Sequence, residues 1–160
     1  MASNAPKDTV RNDPLAVFCF WVDIPKLKTD KAFFKSVSGL RSETEVVPVR
    51  AGGANDTTFN LVGATKWSPL VLKQGFTKGS KLQEWRENWM TGKEMTRFDG
   101  SIIQLDSTLL KPMAQWDFVQ GWPSKWEMGE FDASKNELAI ETLEISHNGL
   151  KFKNLGGPKK

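Results

Sequence analysis

The chain has 160 residues and a formal net charge of +3, from 22 basic and 19 acidic residues. This length predicts a single domain that can bury a core without help from disulfides or metal ions. The small positive surplus argues against a nucleic-acid-binding protein, which usually carries a dense basic surface. The one cysteine, Cys19, excludes an internal disulfide and fits a protein that folds in a reducing cytoplasm.

The first fourteen residues are polar and lack the apolar core of a signal peptide. The first apolar run, Leu15 to Val22, is too short to cross a bilayer, so we expect no membrane anchor. We predict a flexible N-terminal arm at 1–14, one domain at 15–150 and a C-terminal tail at 151–160. Leu15 to Ile24 carries apolar residues on both alternating faces, which is typical of a fully covered central strand.

Residues 43–62 predict an extended hairpin. Glu43 to Arg50 forms the outgoing arm, residues 51–56 (AGGAND) form the tip, and Thr57 to Val62 returns. Pro48 cannot donate to a strand ladder, so the outgoing arm belongs at a sheet edge. Unpaired edges invite pairing with another chain. The hairpin is therefore predicted to be a surface that meets a neighbour.

After a short strand at Lys66 to Gln74, one segment predicts a helix, Ser80 to Met90. Ser80 and Gln83 have the spacing of a capping box, and Gly92 supplies the stop. Leu82, Trp85 and Trp89 are spaced so that they share one helical face, and we expect this apolar face to lie against the sheet.

Three more strands follow, at Ser101 to Asp106, Met113 to Gln120 and Glu137 to His147. In the last of these the apolar residues change phase partway. We therefore expect a bulge near Glu141–Thr142, or a strand that passes from one sheet to another. The fold class predicted is all-β with one α-helix, in a small sandwich or barrel.

The sequence contains no catalytic or cofactor-binding pattern that we recognise, so we predict a protein that is not an enzyme and binds no cofactor. His147, the only histidine, precedes a turn signal and is interpreted as a polar strand-end residue; Cys19 is interpreted as a core residue. Glu43 and Glu45 share a face by their spacing, which a solvated strand explains without acid–base chemistry. The sequence shows no nucleophile elbow, phosphate-binding loop or zinc-ligand spacing.

The tryptophans leave two interpretations open. In one, they form a stacking platform with nearby lysines, as in a monomeric module that binds carbohydrate or single-stranded nucleic acid. In the other, they fill the core, with Trp122–Pro123 and Trp126 at a subunit contact, where tryptophan is enriched. The platform residues would be Trp67, Trp116, Trp122, Trp126, Lys66 and Lys125.

Several short motifs follow one another along nearly the whole chain. They are Asp13–Pro14, Phe34, Ser36 to Leu40, Glu43 to Val47, Arg50 to Gly53, Leu70 to Gly75, Trp85, Gly121 to Trp126, Asn136 to Leu143, Ile145, His147 and Gly149–Leu150. Each motif is weak alone. In this order and spacing they resemble the tail-tube proteins of contractile-tailed phages and related contractile injection systems.

This resemblance implies a structural protein that forms hexameric rings. Each subunit would contribute strands to a continuous inner barrel, and the rings would stack into a hollow tube that a contractile sheath drives through a target envelope. The implied partners are other copies of the chain, the sheath, the baseplate or spike and the tube-terminating proteins, with cargo or DNA in the channel. Assembly would take place in the bacterial cytoplasm, as part of a phage virion or injection particle.

The hairpin, the end of the N-terminal arm and the Trp-Pro-x-Lys-Trp turn are the candidate assembly elements. The candidate contact residues are Asp13, Pro14, Glu43, Glu45, Val47, Pro48, Arg50, Gly52, Gly53, Asn55, Asp56, Phe59, Trp122, Pro123 and Trp126.

Overall fold

The computed structural model describes residues 19–29, 32–50, 52–53, 57–75, 80–106, 108–109, 111–130, 134 and 139–156. It confirms an antiparallel β fold with one α-helix. A 3-10 helix at Pro25–Leu27 follows the first strand. The other elements are β1 (Cys19–Asp23), β2 (Ala32–Phe34), β3 (Ser36–Ser38), β4 (Ser42–Arg50), β5 (Thr58–Trp67), β6 (Leu70–Gly75), α1 (Lys81–Thr91), β7 (Phe98–Leu105), β8 (Pro112–Met128), β9 (Ile140–Ser146) and β10 (Gly149–Asn154).

Eight of these strands form one sheet in the order β2-β1-β7-β8-β9-β6-β3, with β10 added beside β8, while β4 and β5 form a separate pair. The chain runs from β2 at one edge through Lys35 directly to β3 at the other edge. The backbone N–H of Lys35 donates to the carbonyl of Lys73, at 2.9 Å, on β6. Because β2 and β3 are joined by one residue, the two edges lie together and the sheet closes into a flattened barrel.

The long strand β8 divides this barrel into two walls. Up to Gly121 it pairs with β7 and β10, and from Trp122 onward it pairs with β9. We call β2, β1, β7, β10 and the first part of β8 sheet A, and β3, β6, β9 and the last part of β8 sheet B. At the corner Gln120 has a φ of 51°, a left-handed conformation that turns the strand from one wall to the other.

This geometry corrects two predictions about strand ends. The segment from Gly121 to Trp126, interpreted as a turn, lies inside β8. The predicted bulge near Glu141–Thr142 is absent from β9, whose register with β6 is unbroken from Ile140 to Ile145. The register break and the change of sheet lie in β8 instead, the break being between Pro123 and Lys125.

The first strand is also less covered than predicted. In β1, Phe20 and Val22 are buried, whereas Cys19, Trp21 and Asp23 are half-buried. The strand is central in its pairing, with β2 on one side and β7 on the other, but only one of its faces lines the core. The predicted residues Leu15 to Phe18 lie outside the described residues. Burial raises the pKa of the Cys19 thiol, which makes the reactive thiolate scarce at neutral pH.

Helix α1 confirms its prediction in detail. The Ser80 side chain accepts a hydrogen bond from the backbone N–H of Gln83 at 3.1 Å, and Gly92 ends the helix at a φ of 70°. Trp85 is buried against Phe98, with ring centroids 5.6 Å apart. These contacts place the apolar face of α1 over the end of the barrel core, which is formed by the side chains of Phe20, Val22, Ile24, Phe34, Leu70, Leu72, Leu82, Trp85, Phe98, Ile102, Phe118, Leu143 and Ile145.

A buried carboxylate on β9 escaped prediction. Glu141 is 3% exposed and faces the core, where the apolar pattern places the neighbouring Ile140. Its carboxylate accepts hydrogen bonds from Trp126 Nε1 at 2.6 Å and from Gln74 Nε2 at 3.2 Å. These bonds join three neighbouring strands of sheet B, because the partners lie on β8 and β6.

We expect the substitution Glu141→Ala to lower the free energy of unfolding by about 2–4 kcal/mol, because it leaves two buried donors without an acceptor. Glu141→Gln keeps one acceptor oxygen and should cost less than half as much. Urea unfolding followed by tryptophan fluorescence measures both values. Equal costs for the two variants would contradict the role given to the hydrogen bonds.

Candidate assembly surface

Strands β4 and β5 form a two-stranded hairpin that stands apart from the barrel. Every side chain from Ser42 to Arg50 is exposed, and so is nearly every side chain from Thr58 to Trp67. The return arm is therefore longer than predicted, since it continues past Val62 to Trp67. Pro48 pairs with Asn60, and among the described residues β4 has no partner other than β5, which confirms the predicted edge. A two-stranded hairpin is marginally stable alone, so this element needs a further contact.

The hairpin carries apolar side chains on both of its faces. On one face Val49 lies opposite Phe59, and Val47 lies opposite Leu61. We call these four residues the apolar quartet; their exposed fractions run from 40% for Val47 to 54% for Leu61. On the other face Val46 lies opposite Val62, which is 87% exposed. Contiguous exposed apolar side chains of this kind mark protein–protein contacts.

A bulge near the root of the hairpin lies in β5. The pairing steps from Thr44 with Thr65 to Val46 with Val62, so Gly63 and Ala64 together lie opposite Glu45 alone. A Cβ atom added to Gly63 would lie 3.1 Å from the Glu45 Cβ and 2.9 Å from its carbonyl oxygen. Glu45 thus points to the face of the apolar quartet. Because β4 itself is regular, Glu43 lies on the same face, where it pairs with Lys66. The two carboxylates share a face, as their spacing predicts.

The root of the hairpin is tightly packed against the barrel. The backbone N–H of Ser68 donates to the carbonyl of Arg41 at 3.1 Å, which closes the two arms. Arg41 also forms an exposed ion pair with Glu43 at 2.7 Å. Gly39 has a φ of 84°, and a Cβ atom at this position would lie 1.9 Å from the Pro69 carbonyl oxygen. Only glycine fits this turn.

His147 lies beneath this root and is more buried than its predicted role as a strand-end residue requires, with 8% exposure. Its Nε2 is 3.0 Å from the carbonyl oxygen of Ser68, and its Nδ1 is 3.1 Å from that of Gly149. The ring also contacts Trp67, with centroids 6.0 Å apart. Burial lowers the pKa of His147 from its ordinary value, although the two carbonyl groups act in the opposite direction.

The tryptophans proposed as a stacking platform are held in separate contacts. Trp122 stacks on Trp89 of the helix, with centroids 5.3 Å apart. Trp116 packs against Phe152 on sheet A, and Trp126 donates its ring N–H to Glu141 inside sheet B. They do not form one exposed surface for bases or sugars.

Pro123 is fully buried, and its carbonyl oxygen accepts a hydrogen bond from Arg86 Nη1 at 2.9 Å. Its side chain therefore offers no surface to a neighbour, and the hydrogen bond fastens α1 to β8. Gly52 and Gly53 form an exposed turn at the tip of the hairpin. The predicted contact residues Asp13, Pro14, Asn55 and Asp56 lie outside the described residues.

In the described part of the chain, no group of three or more His, Cys, Asp or Glu side chains is placed to hold a metal ion. No helix in the same residues has the length and apolar character needed to cross a membrane.

Solved structures of contractile injection systems share this fold. A chain of the anti-feeding prophage baseplate is 23% identical over 91% of this chain and 99% of its own, with a TM-score of 0.76. A chain from the sheath–tube complex of the extracellular contractile injection system PVC is 21% identical over 95% and 99%, with a TM-score of 0.76. Hcp1 from Flavobacterium johnsoniae is 17% identical over 86% and 96%, with a TM-score of 0.52.

A search of individually curated protein sequences gives no match. The family described as T4-like virus tail tube protein gp19 matches residues 16–151, which is most of the chain. The separate hairpin, the antiparallel barrel and this match agree: the chain belongs to the T4-like tail tube protein family, whose members are structural components of tubes.

Proposed function

We propose that this chain is the inner-tube subunit of a contractile particle, in which hexameric rings stack into a hollow tube. The observation that carries the proposal is the exposed hairpin, because the described part of the subunit leaves its apolar side chains uncovered. In a tube, a second copy of the chain would cover these side chains. A contact between two different surfaces, repeated around an axis, closes a ring.

The free edge of sheet B supports ring closure. β7 pairs with β8 only up to Gly121, so in the described part of the chain the far edge of the segment from Ser124 to Met128 has no strand partner. At the other side of sheet B lies β3, only three residues long, from which the chain leads into the hairpin. A neighbouring copy that joins these two edges would continue sheet B from subunit to subunit and remove both edges.

The outer face of sheet B carries charged side chains, as expected of a surface that remains in contact with water after assembly. Lys125 contacts Glu127 at 2.9 Å and Glu144 at 4.0 Å, and Lys73 also acts on Glu127. The two lysines and two glutamates balance in charge. Among the described residues, the only large apolar side chain of sheet B that is exposed is Ile140, at the end of β9. We propose that this face lines the channel.

The remaining partners follow from the systems in which the similar structures occur. These systems are a sheath–tube complex, a baseplate and a tube-terminating cap. For this chain we propose the corresponding contacts with a sheath, a baseplate and a terminator, assembly in the bacterial cytoplasm and no enzymatic activity. The tryptophan-rich binding module has no support from the geometry.

The proposal predicts that the purified full-length chain forms rings or tubes, which negative-stain electron microscopy detects directly. Sedimentation velocity over a range of concentrations provides the second measurement, because ring formation appears as a discrete heavier species. A folded protein that remains monomeric at high concentration would contradict the proposal.

A further inference from the structure

We propose that His147 is a positioning residue for the hairpin: its ring latches the root of β5 to the junction of β9 and β10, and uptake of a proton releases that latch. The inference rests on the proposed function, in which the hairpin meets a neighbouring copy. It assigns a control of assembly to the only histidine in the chain.

The contacts of the ring define the latch. Ser68 follows the last residue of β5, and Gly149 begins β10, so the two carbonyl oxygens belong to segments that are distant in sequence. Trp67, the last residue of the return arm, rests on the ring and pairs with Ser42, the first residue of the outgoing arm. The imidazole of His147 thus contacts the return arm directly and holds the outgoing arm through the pairing of Trp67 with Ser42. These contacts set the direction of the hairpin relative to the barrel.

The chemistry of the ring makes this latch sensitive to protons. A neutral imidazole carries one N–H and can donate to only one of the two carbonyl groups, so its second nitrogen presents a lone pair to an oxygen. A charged imidazolium could donate to both, but the site is buried and burial penalises the charged form. Each protonation state therefore leaves one requirement of the site unmet: the neutral ring lacks a second N–H, and the charged ring is buried.

The sign follows from the lowered pKa of the buried ring. A ring that has left the site and entered water binds a proton more readily than the ring in the site. Acid therefore favours release. The stabilising effect of the latch is complete above the ordinary pKa of 6.5 and decreases as the pH falls below it.

Four charged side chains lie near the latch. Arg41, Glu43 and Lys66 lie at the exposed root of the hairpin, and Asp99 lies behind the junction, where it accepts from the N–H of Gln120.

The test has two measurements on the full-length chain. The first follows the His147 ring by NMR, since a sole histidine gives unambiguous resonances; the midpoint should lie below the ordinary value of 6.5. The second follows tube assembly by light scattering from about pH 7.5 down to about pH 5.5, the range in which histidine titrates. In the wild type we expect assembly to decline on acidification, and in His147→Gln to be independent of pH.

A neighbouring substitution serves as the matched control. Asn148→Ser removes the 2.7 Å hydrogen bond from Asn148 to Gln120 in the same junction but leaves the ring in place, so it should keep the wild-type pH profile. A wild type without pH dependence, a His147→Gln variant with the same midpoint, or stronger assembly in acid would each overturn the proposal.

The proposed function and the proposed role of His147 can fail independently, and the measurements tell the two failures apart. If the wild type forms no tubes at any pH, the proposed function fails. The latch is then still tested by hydrogen exchange of the Ser68 N–H, which bonds to the Arg41 carbonyl at the root. Its exchange should accelerate in acid, relative to buried core amides, in the wild type and not in His147→Gln.

Discussion

The double substitution Val49→Asp/Phe59→Asp should give a folded subunit that forms no tubes. The two side chains lie directly opposite each other on the hairpin and are 42% and 53% exposed, so few contacts within the subunit are lost. In an assembled tube the new carboxylates would be buried against a neighbour without partners, which costs several kcal/mol per subunit.

Electron microscopy and sedimentation velocity measure the loss of tubes, and circular dichroism measures the integrity of the fold. We expect the free energy of unfolding to change by about 1 kcal/mol or less, as for other exposed positions. Met95→Asp is the matched control, because Met95 is a large apolar side chain that is 62% exposed but lies outside the hairpin. Tubes formed equally well by the double variant would show that the apolar quartet is not a contact.

The second large effect is expected from Gly39→Ala, at the root of the hairpin. An alanine here would have to adopt a φ near 84° and place its Cβ 1.9 Å from the Pro69 carbonyl oxygen. Backbone strain and overpacking together should lower the free energy of unfolding by about 4 kcal/mol, enough to reduce the yield of soluble protein.

Gly53→Ala provides the comparison that separates the two causes. Gly53 has a φ of 97°, but a Cβ atom there would meet nothing within 4 Å. It should therefore show only the cost of the backbone conformation, about 1 kcal/mol. Chemical denaturation of both variants measures the difference; equal midpoints would mean that the Pro69 carbonyl moves aside without cost.

The features that sequence predicted correctly depend on local signals. Helix α1 was predictable because Ser80, the apolar periodicity and Gly92 mark its start, its buried face and its end within a short segment. The edge character of β4 was predictable from Pro48, since a missing N–H restricts pairing in any context. The family resemblance added the partner, another copy of the chain.

The features that were missed depend on pairing between distant segments. Gly121 and Pro123 are turn signals, yet β8 continues through them because β9 supplies a new partner where β7 ends. Glu141, on β9, faces the core because Trp126, on the neighbouring strand β8, donates its ring N–H to it. An apolar pattern cannot indicate a buried carboxylate whose hydrogen-bond donors come from other strands.

For the candidate contact residues, too, local signals gave one part of the answer and pairing between distant segments gave the other. Composition identified the hairpin as a surface, but which residues of its two arms share a face depends on the bulge at Gly63 and Ala64 in β5, which only the register of β4 against β5 reveals. The role of His147 was also hidden, because one of its two carbonyl partners, Ser68, is distant in sequence and only the fold brings it to the ring. Sequence therefore located the assembly element, and the structure gave its orientation and its attachment.

The corner at Gln120 has a mechanical consequence. β8 has 17 residues and spans roughly 55 Å if extended, passing from one wall of the barrel to the other without interruption. Lys35 makes the same passage between β2 and β3. Sliding one wall past the other would thus strain covalent bonds at two places, and not only hydrogen bonds. In a tube that is pushed end-on against an envelope, each subunit would resist shear with the stiffness of its own main chain.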